Sequence, residues 1–158
     1  MTLQEAKKAG SIQALKSVGI GLLIAQLIMT LLSSDGGFLK GCLWFTDVDY
    51  KLNLLIGVII MSLCGYHWGQ RAGTEILLKK RNYKWVGIKY GIITLLSTAF
   101  LSGWTGFFRQ NKYVNGIDNT PFHDYILKPL FWIFIFGLFP AIIVGFWFGK
   151  QIKKRDFN

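Results

Sequence analysis

The residues best placed to do chemistry are His67, Arg71 and Glu75, spaced i, i+4, i+8. Helical spacing puts all three on one face. An imidazole in line with a cation and a carboxylate is the makeup of a pH sensor or an ion-handling site. Lys89 lies as far beyond a turn at Asn82 as Glu75 lies before it, so these two should meet at one depth and pair. Ionisable groups inside a membrane are costly and are functional candidates by default. The plainer reading is a structural ion pair, with Arg71 and Lys89 reaching lipid phosphates.

A second pattern is a hydroxyl stripe: Thr94, Ser97, Thr98, Ser102 and Thr105, with Gln26 and Thr30 as candidates to join it. Such a stripe could line a hydrated path. More commonly each hydroxyl bonds back to its own helix or to a neighbour. Cys42 and Cys64 form no Cys-x-x-Cys pair, which argues against thiol–disulfide chemistry. Asp47, Asp49, Asp118, His123 and Asp124 could converge on a cation, but their spacing matches no metal motif. Catalysis within a membrane calls for paired carboxylates, a His/Asp set or a metal triad at a protected depth. Near His67, Glu75 stands alone as a carboxylate. The expectation is therefore a protein without enzymatic activity, cofactor or metal.

The elements that must hold these residues are apolar. Hydrophobic residues make up 52% of the 158, charged residues only 16%, and the mean hydropathy is +0.38. A soluble domain of this size leaves too much surface wet to hide that composition. Residues 17–34, 52–70, 90–108 and 129–149 lack Asp, Glu, Lys and Arg. Each is close to the roughly 20 residues that a bilayer core requires. The first run has a positive start, yet no Ala-x-Ala cleavage pattern follows, so it reads as a helix rather than a removed signal. The fold expected is a single all-α domain over 1–158, an integral membrane protein of four transmembrane helices in an antiparallel bundle. Its helices are expected at about 12–34, 52–80, 84–108 and 123–152. Residues 1–16 read as an amphipathic lead-in that lies on the membrane surface or extends the first helix. The second helix, at 1.5 Å per residue, would be on the order of 40 Å long and outrun a core of roughly 30 Å. Pro129 suits the first turn of helix four, and Pro140 should kink its middle.

Four spans place both termini and the basic link Lys79, Lys80, Arg81 and Lys84 on one side. With Lys7, Lys8, Lys16, Arg71, Lys89, Lys150, Lys153, Lys154 and Arg155, that side carries the whole net charge of +10, set against Glu5, Glu75 and Asp156 alone. On the other side Lys40, Lys51, Arg109, Lys112 and Lys128 cancel Asp35, Asp47, Asp49, Asp118 and Asp124. Cationic loops stay inside, which puts both ends in the cytoplasm of an inner (plasma) membrane. Topology thus accounts for the basic excess. It argues against nucleic acid and points to anionic lipids of the inner leaflet.

Small residues recur at every fourth position: Ser17, Gly21 and Ala25; Gly65, Gly69 and Gly73; Gly87 and Gly91; Gly137, Ala141, Gly145 and Gly149. Close backbone approach through such residues drives helix association in lipid. The seams pack within one bundle, or one of them, helix four's above all, meets another subunit. In plan the chain is similar to many small four-span proteins: bacterial immunity proteins against pore-forming toxins, membrane components of phage-defence systems, and accessory subunits of larger complexes. That similarity is architectural, and architecture does not imply function. The function expected is a non-enzymatic accessory or interaction subunit, working as a homo-oligomer or with a membrane or cytoplasmic partner. The alternative is a small homo-oligomeric ion channel or transporter.

Overall fold

The computed structural model describes residues 1–32, 41–46, 51–111 and 122–155. Among these the chain is all helical, without a strand. The long helices are α1 (Leu3–Leu32), α2 (Lys51–Gly73), α3 (Tyr83–Asn111) and α4 (Lys128–Lys154). A short 3₁₀ turn covers Trp44–Thr46. π-helical turns extend α2 over Thr74–Leu78 and lead into α4 over His123–Leu127. The carboxylates Asp35, Asp47, Asp49 and Asp118 lie outside the described residues, so the outer cation reading does too.

Helix α1 starts upstream of the expected position 12, for a local reason. The backbone N–H of Thr2 donates to Glu5 Oε2 at 2.7 Å, and the N–H of Glu5 donates to Thr2 Oγ1 at 3.3 Å. This reciprocal box satisfies two donors that a helix start leaves orphaned. The first residues are thus no separate segment lying on a surface. They are the packed end of α1, with Ala6, Gly10, Ser11, Gln13, Ala14 and Ser17 all buried.

The helices run up, down, up and down, so the start of α1, the end of α4 and the α2–α3 link collect at one end. We call it the basic end, because Lys7, Lys8, Lys79, Lys80, Arg81, Lys84, Lys150, Lys153 and Lys154 gather there. Two hairpins carry the closest contacts. Between α1 and α2, a methyl added to Gly73 would strike the Ala6 carbonyl oxygen and lie 2.9 Å from Gly10 Cα. One added to Gly65 would lie 2.8 Å from Val18 Cγ2. Between α3 and α4, a methyl on Gly145 would lie 2.8 Å from the Gly87 oxygen, and one on Gly149 would strike the Tyr83 oxygen. Backbones this close gain dispersion and weak Cα–H···O contacts where apolar burial gains nothing from lipid. The α4 seam is therefore occupied inside the chain, by α3, rather than left for another subunit. In α1 the seam is Ala6, Gly10 and Ala14. The expected Ser17–Gly21–Ala25 run does not form it: Gly21 faces only the Met61 side chain, at 3.6 Å.

Helix α2 also packs on α3, and α1 on α4, which closes a ring of four. The buried cluster of Ala72, Ile76, Leu77, Val86, Tyr90, Phe148 and Ile152 lies at the basic end. The link there is tight. Lys80 takes a left-handed φ of 51°, the one positive φ outside glycine among the described residues. The Arg81 N–H then reaches back to the Glu75 oxygen at 3.0 Å. Asn82 opens α3 by accepting the Lys84 N–H on its side chain at 3.0 Å.

By length and composition, three helices among the described residues are apolar enough to cross a membrane: Leu3–Leu31, Tyr83–Thr105 and Lys128–Lys154. Helix α2 packs alongside them, against α1 and α3.

Candidate functional site

Glu75 is the centre of the polar cluster, in the π turn Thr74–Leu78 that follows α2. Its side chain is largely covered and reaches Tyr90 of α3, while His67 and Arg71 are exposed on α2.

The carboxylate has three partners. Tyr90 Oη donates to Oε1 at 2.9 Å, Arg81 Nη1 donates to Oε2 at 3.2 Å, and Lys89 Nζ lies 3.9 Å from Oε1. Glu75 and Lys89 do meet across the hairpin, as equal depth requires. Tyr90 and Arg81 are partners that sequence reading missed. The Tyr90 position was legible, one residue after Lys89; the Arg81 contact follows from the left-handed turn at Lys80, which spacing alone does not reveal.

The Glu75 side chain is only 14% exposed, against 53% for Lys89 and 58% for Arg81. Burial alone would push its pKa up. The Tyr90 hydroxyl, the Lys89 ammonium and the Arg81 guanidinium together outweigh burial and hold it below the ordinary carboxylate value. The two cations are solvent-facing and each contributes little, since exposed pairs are worth about 0–1 kcal/mol. The buried tyrosine bond to a charged acceptor is the stronger contact, about 1.5–3 kcal/mol.

Arg71 instead lies over the Trp68 ring, 4.8 Å from its centroid. Trp68 in turn stands 6.1 Å from Tyr90 and 5.2 Å, edge-on, from His67. His67 is thus joined to the cluster through an indole rather than through a proton-conducting contact. Of the link, Lys79, Lys80, Arg81 and Lys84 are all exposed. Lys153 adds a cation over the Tyr83 ring at 4.9 Å, which ties the end of α4 to the start of α3.

No family model, curated protein or solved structure matches this chain.

Along α3, Thr94 Oγ1 donates to the Tyr90 carbonyl at 2.7 Å, Ser102 to Ala99 at 3.2 Å and Thr105 to Ser102 at 2.6 Å. Ser97 and Thr98 are half-buried on the same helix. Ser17, Thr30, Ser62 and Thr74 bond back to their own helices in the same way. Hydroxyls bonded like this are content in a dry surrounding. Gln26 does something different: its Nε2 donates to the Cys42 carbonyl at 2.9 Å and ties the segment before α2 to α1. Among the described residues, no group of three or more His, Cys, Asp or Glu is placed to hold a metal ion. The Glu75 cluster holds one carboxylate in its ionised form among donors. Its chemistry is that of a clasp that joins α2, the link and α3.

Proposed function

We propose that this chain is a small four-span protein of the inner (plasma) membrane, with both termini cytoplasmic, and that it works without enzymatic activity as an accessory or interaction subunit. An immunity or defence component falls within that class. Support for the fourth span comes from α2 itself, which runs antiparallel to α1 and α3 over their shared length. Support for the orientation comes from the basic end, where the cations gather with the start of α1 and the end of α4.

One observation carries the interaction reading. Only 6% of the apolar stretch of α4 is buried, and Phe131, Trp132, Phe136, Phe139 and Ile143 all face outward. The in-chain seam uses the small residues of α4 and leaves this aromatic face uncovered. Such a face suits lipid and the apolar helix of a partner. It cannot line water. The second reading, a homo-oligomeric channel or transporter, draws on the stripe of Thr94, Ser97, Thr98, Ser102 and Thr105, and its path would have to form between copies.

Native mass spectrometry of the tagged protein, extracted in mild detergent, separates the two. The accessory reading expects a monomer or dimer with a stoichiometric second protein. A closed homo-oligomer of four or more copies would sink it and favour the channel.

A further inference from the structure

From the buried cluster outward the bundle does not close on itself. All four helices wall a cavity of about 380 Å³. The space exists because its walls carry small residues, among them Gly21, Ala25, Gly65 and Gly137. The geometry points to an occupant: the acyl tail of a bilayer phospholipid. This inference goes beyond the accessory role, but it rests on the membrane-spanning reading.

Water is a poor occupant. A buried water needs two to four polar partners. The wall hydroxyls are already used: Ser17 on the Gln13 carbonyl at 2.8 Å, Thr94 on the Tyr90 carbonyl at 2.7 Å, and Tyr90 on Glu75 at 2.9 Å. A void is costly too, because every wall atom forfeits its dispersion contacts. A flexible, unbranched hydrocarbon tail fits the volume and the chemistry. The source is continuous with the walls: α1 and α4 supply most of the lining, and the same two helices expose Leu23, Leu27 and Phe139 on their outer faces. A tail enters from that surrounding without crossing water. Once seated, it joins the two hairpins to each other, since each glycine seam joins helices within one hairpin only.

The test is photolabelling in phosphatidylglycerol/phosphatidylethanolamine vesicles in which one acyl tail carries a diazirine, read by peptide mass spectrometry. Lipid around the protein labels Leu23, Leu27 and Phe139 in any case. A seated tail also labels Met61 and Leu95 inside the cavity. Gly21→Leu fills the space; its Cβ meets only Met61 Cε, at an ordinary 3.6 Å, so the backbone there takes a side chain without a clash at Cβ. Ala25→Phe is the independent second filler. The expected result is loss of the Met61 and Leu95 labels in both variants, with the outer labels unchanged. Absence of the inner labels in the wild type, or their survival in both variants, overturns the seated tail and leaves the membrane reading standing. Absence of all labels, outer ones included, removes the membrane reading and this inference with it.

Discussion

Glu75 shows how much one side chain's neighbours decide. Its pKa is lowered on folding, so its contribution to stability is complete above the ordinary carboxylate value of about 4.3. That contribution is lost as pH falls through the lower, folded value. Thermal unfolding in detergent should therefore show an acid-side loss of stability that shrinks in Glu75→Gln. A profile with the same acid slope in both proteins would mean that other carboxylates carry it. Tyr90→Phe removes the strongest partner and should cost about 1.5–3 kcal/mol. His67→Ala, by contrast, should leave the unfolding temperature nearly unmoved, since His67 is exposed and touches the cluster only through Trp68. A second residue-scale expectation concerns Lys80. A left-handed φ of 51° favours glycine. Lys80→Gly should stabilise the protein by about 0.5–1 kcal/mol, once glycine's greater freedom in the unfolded chain is offset. A measured loss would show that the lysine side chain matters more than its backbone strain.

At the scale of elements, the seams make a graded prediction. Gly73→Ala and Gly145→Ala place a methyl against a facing backbone. Each should cost about 1–3 kcal/mol, since backbones cannot give way as a side chain does. Gly19→Ala and Gly57→Ala meet nothing within 4 Å and should be neutral or stabilising by up to about 1 kcal/mol. Thermal melts of the four variants side by side check the ordering. Most of these elements were legible in the sequence. The fourth-position spacing of Gly65, Gly69 and Gly73, and of Ala141, Gly145 and Gly149, marks real seams. The α1 half was misplaced because hydropathy dominated the reading. Lys7, Lys8 and Lys16 make residues 1–16 look like a surface segment, yet they flank Ala6, Gly10 and Ala14 on a different side of the same helix. The Thr2–Glu5 box was the available signal for the true start. The π turn at Thr74–Leu78 had none, because Thr-Glu-Ile-Leu-Leu reads as ordinary helix. Equal distance from the turn made the Glu75–Lys89 pair legible; the Arg81 contact, set by the left-handed turn at Lys80, was not.

For the whole molecule, the charge is the boldest feature. Lys7, Lys8, the link and the tail of α4 share one end of the bundle. Alkaline phosphatase fused after residue 158 should be inactive in a bacterial host, and a fusion within 112–120 should be active, because the enzyme folds only outside the cytoplasm. The reverse pattern would invert the proposed orientation, and equal activity would argue against it altogether. What no single sequence could show at this scale is where four helices part: volume left between walls depends on which small residues meet a backbone and which meet nothing. Gly21 and Gly10 look alike in the sequence, yet only Gly10 touches a facing main chain.

The tightest backbone-to-backbone glycine contacts, the buried cluster and the Glu75 clasp lie toward the same end of the bundle. The molecule therefore has a sewn end and an unsewn one, and its opening motions inherit that direction. Amide hydrogens in the turns around Gly69–Gly73 and Gly145–Gly149 should exchange slowest. Those of α1 beyond Gly21 and of α4 before Gly137 should exchange fastest among the helical residues, because they can separate without breaking a seam. Hydrogen exchange read by mass spectrometry would draw that gradient along each helix. Like a clothes peg, the bundle would yield from its jaws and hold at its spring.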